Sequence, residues 1–158
     1  MDETGARRHT TSSPRRSRDR RGAALVELAI AVPILFLLLF GVIEFGAAFD
    51  KKIALNQGVR EGARQAVVTN YTTANLVSYT KSRIGLNTSK TKVYVKVGST
   101  AVGQPVTVCG SYTVESLTGL LSPFLGGKVL KSEVTMRIEQ PATSLSTGGD
   151  AGDWSWCG

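Results

Sequence analysis

The chain has one histidine in 158 residues, His9, and it falls in a polar N-terminal stretch with no hydrophobic surroundings. Without a histidine in a foldable region, the usual nucleophile–base pair cannot be assembled. No grouping of His, Cys, Asp and Glu has the spacing of metal ligands. The glycine-bearing REGARQA, residues 60–66, lacks the Lys-Ser/Thr step that a phosphate loop needs. GGDAGD, residues 148–153, offers too few oxygens for a calcium loop. These absences point away from an enzyme, a cofactor and a small-molecule substrate. Acidic residues are also scarce, 12 against 19 Lys and Arg, for a net charge of +7. Residues 1–22 hold seven arginines against Asp2, Glu3 and Asp19, net +4, so most of the excess sits there. That leader has no aromatic residue to stack on a base, and a nucleic-acid footprint needs cations gathered on a folded surface. Nucleic acid is not an expected partner.

The chain does have one long apolar run. Residues 28–43, LAIAVPILFLLLFGVI, carry no charge, and residues 23–49 are interrupted only by Glu27 and Glu44. A membrane-spanning helix needs about 20 mostly apolar residues. The run is apolar on every side, which suits a bilayer better than the core of so small a chain. A cleaved secretory signal is the alternative, but its apolar part is about 7–15 residues, and FGAAF at 45–49 is a poor cleavage site. The arginines directly before the run place the N-terminus on the cytoplasmic side and the remainder outside. A twin-arginine export signal does not fit, because Gly22-Ala23-Ala24 stands where a hydrophobic pair should follow.

The periodicities divide the chain into four parts. Residues 1–22, rich in Ser, Thr and Arg, cannot bury a core and are expected to be a disordered leader. Residues 23–68 read as one transmembrane and stem helix. Past Glu44, the residues Phe49, Ile53, Asn56, Val59, Ala63, Ala66 and Val67 recur on one side, the expected buried face. Residues 69–140 read as a small extracytoplasmic α+β domain. A short helix is expected from Thr73 to Leu86, capped by Thr72 or Thr73. About three strands follow, around Val93–Val97, Val106–Val114 and Val134–Ile138, each with a period of two. One apolar face of that antiparallel sheet needs a cover, and the stem helix is the nearest candidate. Residues 141–158 read as a flexible Gly/Ser-rich tail ending in Trp154, Trp156 and Cys157. The fold class expected is α+β.

Four features carry candidate function. Glu27 is a carboxylate near the start of a membrane segment, where an ionised group must find a partner or become neutral. Arg20 and Arg21 are one possible partner. Cleavage after Gly22 would supply another, since the new α-amine at Ala23 would be largely charged near neutrality and one helical turn away. Pro33 removes a helix hydrogen bond; it is either a site of bending during extraction from the membrane or an ordinary membrane-helix proline. Glu44 is expected as a solvated boundary charge, or as a partner for Lys51, Lys52 or Arg60 of a neighbouring subunit. Cys109 and Cys157, both on the outer side, allow a single intramolecular disulfide, which would lay Trp154 and Trp156 along the sheet; two free thiols, or an exposed Trp surface, are the alternatives.

Gly22, Ala23-Ala24-Leu25-Val26 and Glu27, after a basic leader and before an apolar helix, resemble a type IV prepilin processing site. A wider stretch is similar to the TadE-like family of tight-adherence (Tad, or Flp-type) pilus systems. It comprises Arg21-Gly22, Val26-Glu27-Leu28, Pro33, the leucines of 35–39, residues 41–46 (GVIEFG) and REGAR at 60–64, with SEVTMRIE at 132–139 a looser likeness. Leu28, where an aromatic is commoner, and the Cys/Trp tail depart from the pattern. The resemblance implies a minor pilin or pseudopilin, cut after Gly22 by a prepilin peptidase and needed for pilus assembly. Glu27 is then implied in docking each subunit. The partners implied are the membrane, the peptidase, other pilins and the Tad assembly platform. An unprocessed membrane accessory of the same apparatus, or a binding domain released near Phe49, are the rival expectations.

Overall fold

The computed structural model describes residues 16–119 and 122–158, with side chains from residue 22 onward except at 124 and 125. The chain divides within its first helix into two compact units, Met1–Leu39 and Phe40–Gly158.

The first unit contains the beginning of helix α1 (Arg16–Val68). Its backbone is helical from Arg16, earlier than the expected start at residue 23. Arginine is a good helix former, and nothing between Arg16 and Arg21 breaks a helix. Residues 1–15 of the expected disordered leader lie outside the described residues. From Gly22 to Leu39 the side chains are exposed, Val32 alone being half-buried. The 18-residue window of highest mean hydropathy, 2.7, is 0% buried. This is a helix long and apolar enough to cross a membrane, and it does not serve as the core of a soluble unit.

The second unit is α+β. It takes the remainder of α1, then α2 (Thr73–Ile84), β1 (Thr91–Val97), β2 (Pro105–Thr113), a four-residue helix α3 (Ser122–Leu125), β3 (Val129–Arg137) and the two-residue β4 (Gly148–Gly149). Sequence chemistry sets the bounds of α2. The Thr72 hydroxyl accepts from the Asn75 N–H at 3.3 Å, and Gly85 ends the helix at φ 66°, where its N–H donates to the Lys81 carbonyl. The sheet is antiparallel, in the order β3-β2-β1-β4. It therefore has one strand more than the three that the alternation predicts. A glycine pair has no alternation to reveal it.

One face of the sheet packs on the two helices. Val93 and Val95 of β1, and Val106, Val108 and Tyr112 of β2, meet Leu55, Val59, Ala63 and Ala66 of α1 and Leu76, Val77 and Ile84 of α2. Gly110 lets α1 lie close on β2, since a Cβ there would stand 2.5 Å from Val59 Cγ2. The buried face of α1 differs in phase from the expected one. Phe49 and Ile53 are 66% and 54% exposed and Asn56 is exposed, whereas Leu55 is fully buried. The reason is α2. It packs against Gly58 and Gly62, where added Cβ atoms would meet Ile84 and Thr80 within 2.4 Å. Small residues set this face, and a hydrophobic period undervalues them.

The C-terminal segment passes from the helix side of the sheet, around the β1 edge, to the other face, where its last residues lie. Residues 141–158, expected to be a flexible tail, are held along their length. Ala142 and Leu145 enter the core. Asn70 bonds Thr143 and Ser144, and Thr73 bonds Ser146. The Asp150 carboxylate accepts from the Val93 N–H at 2.7 Å and pairs with Lys81 at 2.8 Å. Cys109 of β2 is joined to Cys157, with a Cα–Cα distance of 6.0 Å. Trp154 stacks on Tyr94 at 5.3 Å, and Lys131 lies over the Trp156 ring at 5.0 Å. Short polar residues gave this segment a flexible composition; their side chains instead supply its hydrogen bonds.

Candidate functional site: the apolar helix and its two glutamates

Gly22, Ala23, Glu27 and Pro33 all stand on the first part of α1, in the N-terminal unit. Gly22 has open space about it, with no atom within 4 Å of a would-be Cβ. Ala23 and Glu27 are four residues apart in a continuous helix, hence neighbours on one face, one turn apart. Glu27 is exposed and has no ion-pair or hydrogen-bond partner among the described residues. The side chains of Arg20 and Arg21 lie outside the described ones. Pro33 sits inside the helix without ending it. It supplies no N–H to the carbonyl four residues back, at Ala29.

Glu44 is placed differently from either sequence expectation. It belongs to the second unit and is only 3% exposed. Its carboxylate accepts the Leu117 N–H at 2.7 Å, the Thr118 N–H at 3.2 Å and the Thr118 hydroxyl at 3.1 Å. It is thus neither a solvated boundary charge nor free to reach Lys51, Lys52 or Arg60 of a neighbour. The sequence offered cations nearby as partners. The actual donors are the backbone of a loop more than 70 residues away and the Thr118 hydroxyl, which no charge pattern marks.

On the side of α1 away from the sheet, Val42, Phe45, Phe49 and Ile53 remain 72%, 51%, 66% and 54% exposed. Their spacing of three, four and four keeps them on one stripe. That stripe carries the apolar surface beyond the uncharged run and along the head unit. Sequence reasoning assigned Phe49 and Ile53 to the core; the stripe was legible only once the glycine face was known.

Charge elsewhere is structural. The Asp153 carboxyl is held below its ordinary 3.8, first by the Ser155 N–H, then by the Ser155 side chain and the Lys131 charge, against the opposing effect of burial. Lys90 pairs with Glu115. Asn87 accepts at its side-chain oxygen from the Ser89 N–H and hydroxyl. Among the described residues no group of three His, Cys, Asp or Glu is placed to hold a metal ion.

No curated protein and no solved structure matches the chain. A family model does, over a limited stretch that begins at Gly22 and takes in Ala23, Glu27, Pro33 and Glu44, but not α2, the sheet or the disulfide. That model is described as TadE-like protein and matches residues 22–64, and over this segment the chain is similar to that family.

Proposed function

We propose that the protein is a minor pilin or pseudopilin of a Tad (Flp-type) pilus, the finer form of the pilus association that its TadE-like segment supports. In this reading a prepilin peptidase cuts after Gly22, and the protein then takes part in pilus assembly through its helix. The observation that carries the reading is the coincidence of three things in one segment. The family match starts at Gly22. The helix beyond it is apolar and unburied. Its carboxylate, Glu27, stands one turn past Ala23 with no partner among the described residues.

The mechanism is one of assembly rather than of catalysis. Cleavage would leave an ammonium at Ala23 in the region where the helix enters the membrane, and Glu27 is the group that can neutralise it. A carboxylate of one subunit meeting the amine of another removes two unpaired charges from hydrocarbon together. The exposed stripe Val42, Phe45, Phe49 and Ile53 gives the helix an apolar side on which a second helix can pack. The arginine-rich leader favours a cytoplasmic N-terminus and an outer head, and a disulfide in the head suits an oxidising compartment.

Helix α1 runs through Gly22 without interruption from Arg16, which favours a second reading as an unprocessed membrane accessory of the same apparatus. Release of a soluble domain by cleavage near Phe49 is disfavoured. It would strip the head of Glu44, which is buried in it. Substitution separates the first two readings. Glu27→Ala is expected to leave cleavage at Gly22 intact and to abolish surface pili; wild-type piliation of a strain lacking the whole protein would defeat both.

A further inference from the structure

On the sheet face away from the helices, one row of the register reads Lys92, Ser111 and Lys131, on β1, β2 and β3 in turn. Thr113 stands on the same face of β2, two residues beyond Ser111. The end of the chain forms a wall beside this row. The Cys109–Cys157 bond holds that wall to β2. Within it the Trp154 indole N–H donates to the Asp150 carbonyl at 2.8 Å, and the Trp156 indole N–H to the Asp153 carbonyl at 3.0 Å. Between floor and wall lies a surface cleft of about 270 Å³, and both tryptophans of the chain line it.

The chemistry of the lining is unfinished in three respects. Lys92 and Lys131 form no ion pair among the described residues; their ammoniums rest on the Ala151 carbonyl at 2.9 Å and over the Trp156 ring. The acid of the lining, Asp153, accepts the Ser155 N–H at 3.0 Å, and two lysines against one aspartate leave the cleft net positive. The Ser111 and Thr113 hydroxyls are half-buried and bond to no described residue, whereas Thr107, farther along the same strand face, bonds Thr135. With both indole N–H groups spent on backbone carbonyls, the tryptophans offer the cleft carbon surface and no donor.

Unpaired ammoniums suit an acid, free hydroxyls suit a hydroxyl-rich body, and indole carbon suits C–H groups. A nucleobase would need an open ring face to stack on, but Trp154 is already stacked on Tyr94 and Lys131 lies over Trp156. Pockets for drug-sized ligands run from about 300 to 1,000 Å³, so the room here suits a single sugar-sized unit.

We propose that this cleft binds an acidic sugar residue of a polysaccharide. Its carboxylate or sulfate lies between the Lys92 and Lys131 ammoniums, its hydroxyls exchange hydrogen bonds with Ser111 and Thr113, and its C–H groups rest against Trp154 and Trp156. The inference concerns the head unit alone, and it rests neither on the membrane span nor on cleavage at Gly22 or entry into a pilus.

Because both tryptophans line the cleft, intrinsic fluorescence reads it directly. The test titrates the full chain, in a detergent without a sugar headgroup, with tetragalacturonate and with a sulfated heparin tetrasaccharide. Maltotetraose is the neutral comparator, and tetraglutamate is the anion without a sugar. At least one acidic tetrasaccharide should shift tryptophan emission saturably. Lys92→Gln and Lys131→Gln should each raise its midpoint by about tenfold, the effect of losing one charge-assisted hydrogen bond. Ser111→Ala should raise it several-fold. Arg83→Gln, the same charge change on α2, should leave it unaltered. No saturable shift with either acidic tetrasaccharide overturns the proposal. An equal midpoint for maltotetraose overturns it by removing the need for the acid, and an equal midpoint for tetraglutamate by removing the need for the sugar. A loss in Arg83→Gln as large as in the two lysine variants also overturns it, by showing attraction to the charge of the whole protein.

Discussion

Gly58→Ala sets two effects of known sign against each other. An alanine in place of glycine within a helix stabilises by about 1 kcal/mol through backbone entropy. Against this stands the space available. The new Cβ would lie 2.4 Å from Ile84 Cγ1 and 2.6 Å from both the Cα and the N of Ile84. Carbon atoms prefer separations of about 3.5–4.0 Å, so α2 must retreat by about 1 Å at its C-terminal turn. A side-chain tip could rotate away, but two of the three atoms are backbone. Overpacking of this kind typically costs about 1–3 kcal/mol, and a backbone clash belongs at the upper end. The net expectation is destabilisation by about 1–2 kcal/mol, or a fall in melting temperature of about 4–8 °C for a head of this size. Gly46→Ala is the control. Gly46 lies on the same helix with nothing within 4 Å of its Cβ position, so only the entropy gain operates and the melting temperature should hold or rise. The assay is near-ultraviolet circular dichroism of the full chain in detergent, which follows the packed aromatics of the head. If Gly58→Ala melts at or above the parent, together with Gly46→Ala, then the close approach of α2 to α1 is wrong.

Two further outcomes follow from the C-terminal segment. Cys157→Ser opens a link between residues 48 apart; the chain-entropy relation gives a loss of about 4 kcal/mol, to be read as a lower denaturation midpoint than the parent's, and an unchanged midpoint would refute it. Asp153 has a depressed carboxyl pKa, so its contribution is complete above its ordinary value of 3.8 and is lost as pH falls through the lower folded value. Tryptophan fluorescence should accordingly be steady from neutrality down to about pH 4 and change below it; Asp153→Asn should remove part of that acid transition, and an identical acid curve in the variant would contradict the assignment.

Local signals carried much of the fold. Thr72 and Gly85 mark α2 by capping chemistry, and the valines of β1 and β2 mark their strands by alternation. The apolar run is long and uniform enough to be read as a span from composition alone. What was hidden depended on residues distant in sequence. Leu55 displaced Phe49 and Ile53 from the core because α2 packs on Gly58 and Gly62, and glycine adds nothing to a hydrophobic period. Glu44 is unlike its sequence expectation because its partners are loop N–H groups and the Thr118 hydroxyl, uncharged donors that a charge pattern does not mark. Gly148 and Gly149 pair with β1 because Asp150 and Thr147 bond to its backbone at Val93 and Val97, a placement that composition cannot express. The Cys109–Cys157 pairing was legible, since two cysteines admit one internal bond, and the residues it lays over the sheet follow from it. Gly22 and Glu27 stand out in the sequence as a motif, and their place on one helical face accords with it without testing the cleavage.

The central claim is that this chain is processed and assembled as a pilin. It is tested most directly by the intact mass and N-terminal sequence of the protein from cells with and without their prepilin peptidase. A start at Ala23 that disappears in the strain lacking the peptidase is the predicted result. A chain that keeps its arginine-rich leader in both strains would contradict it, and would make the protein a fixed membrane anchor.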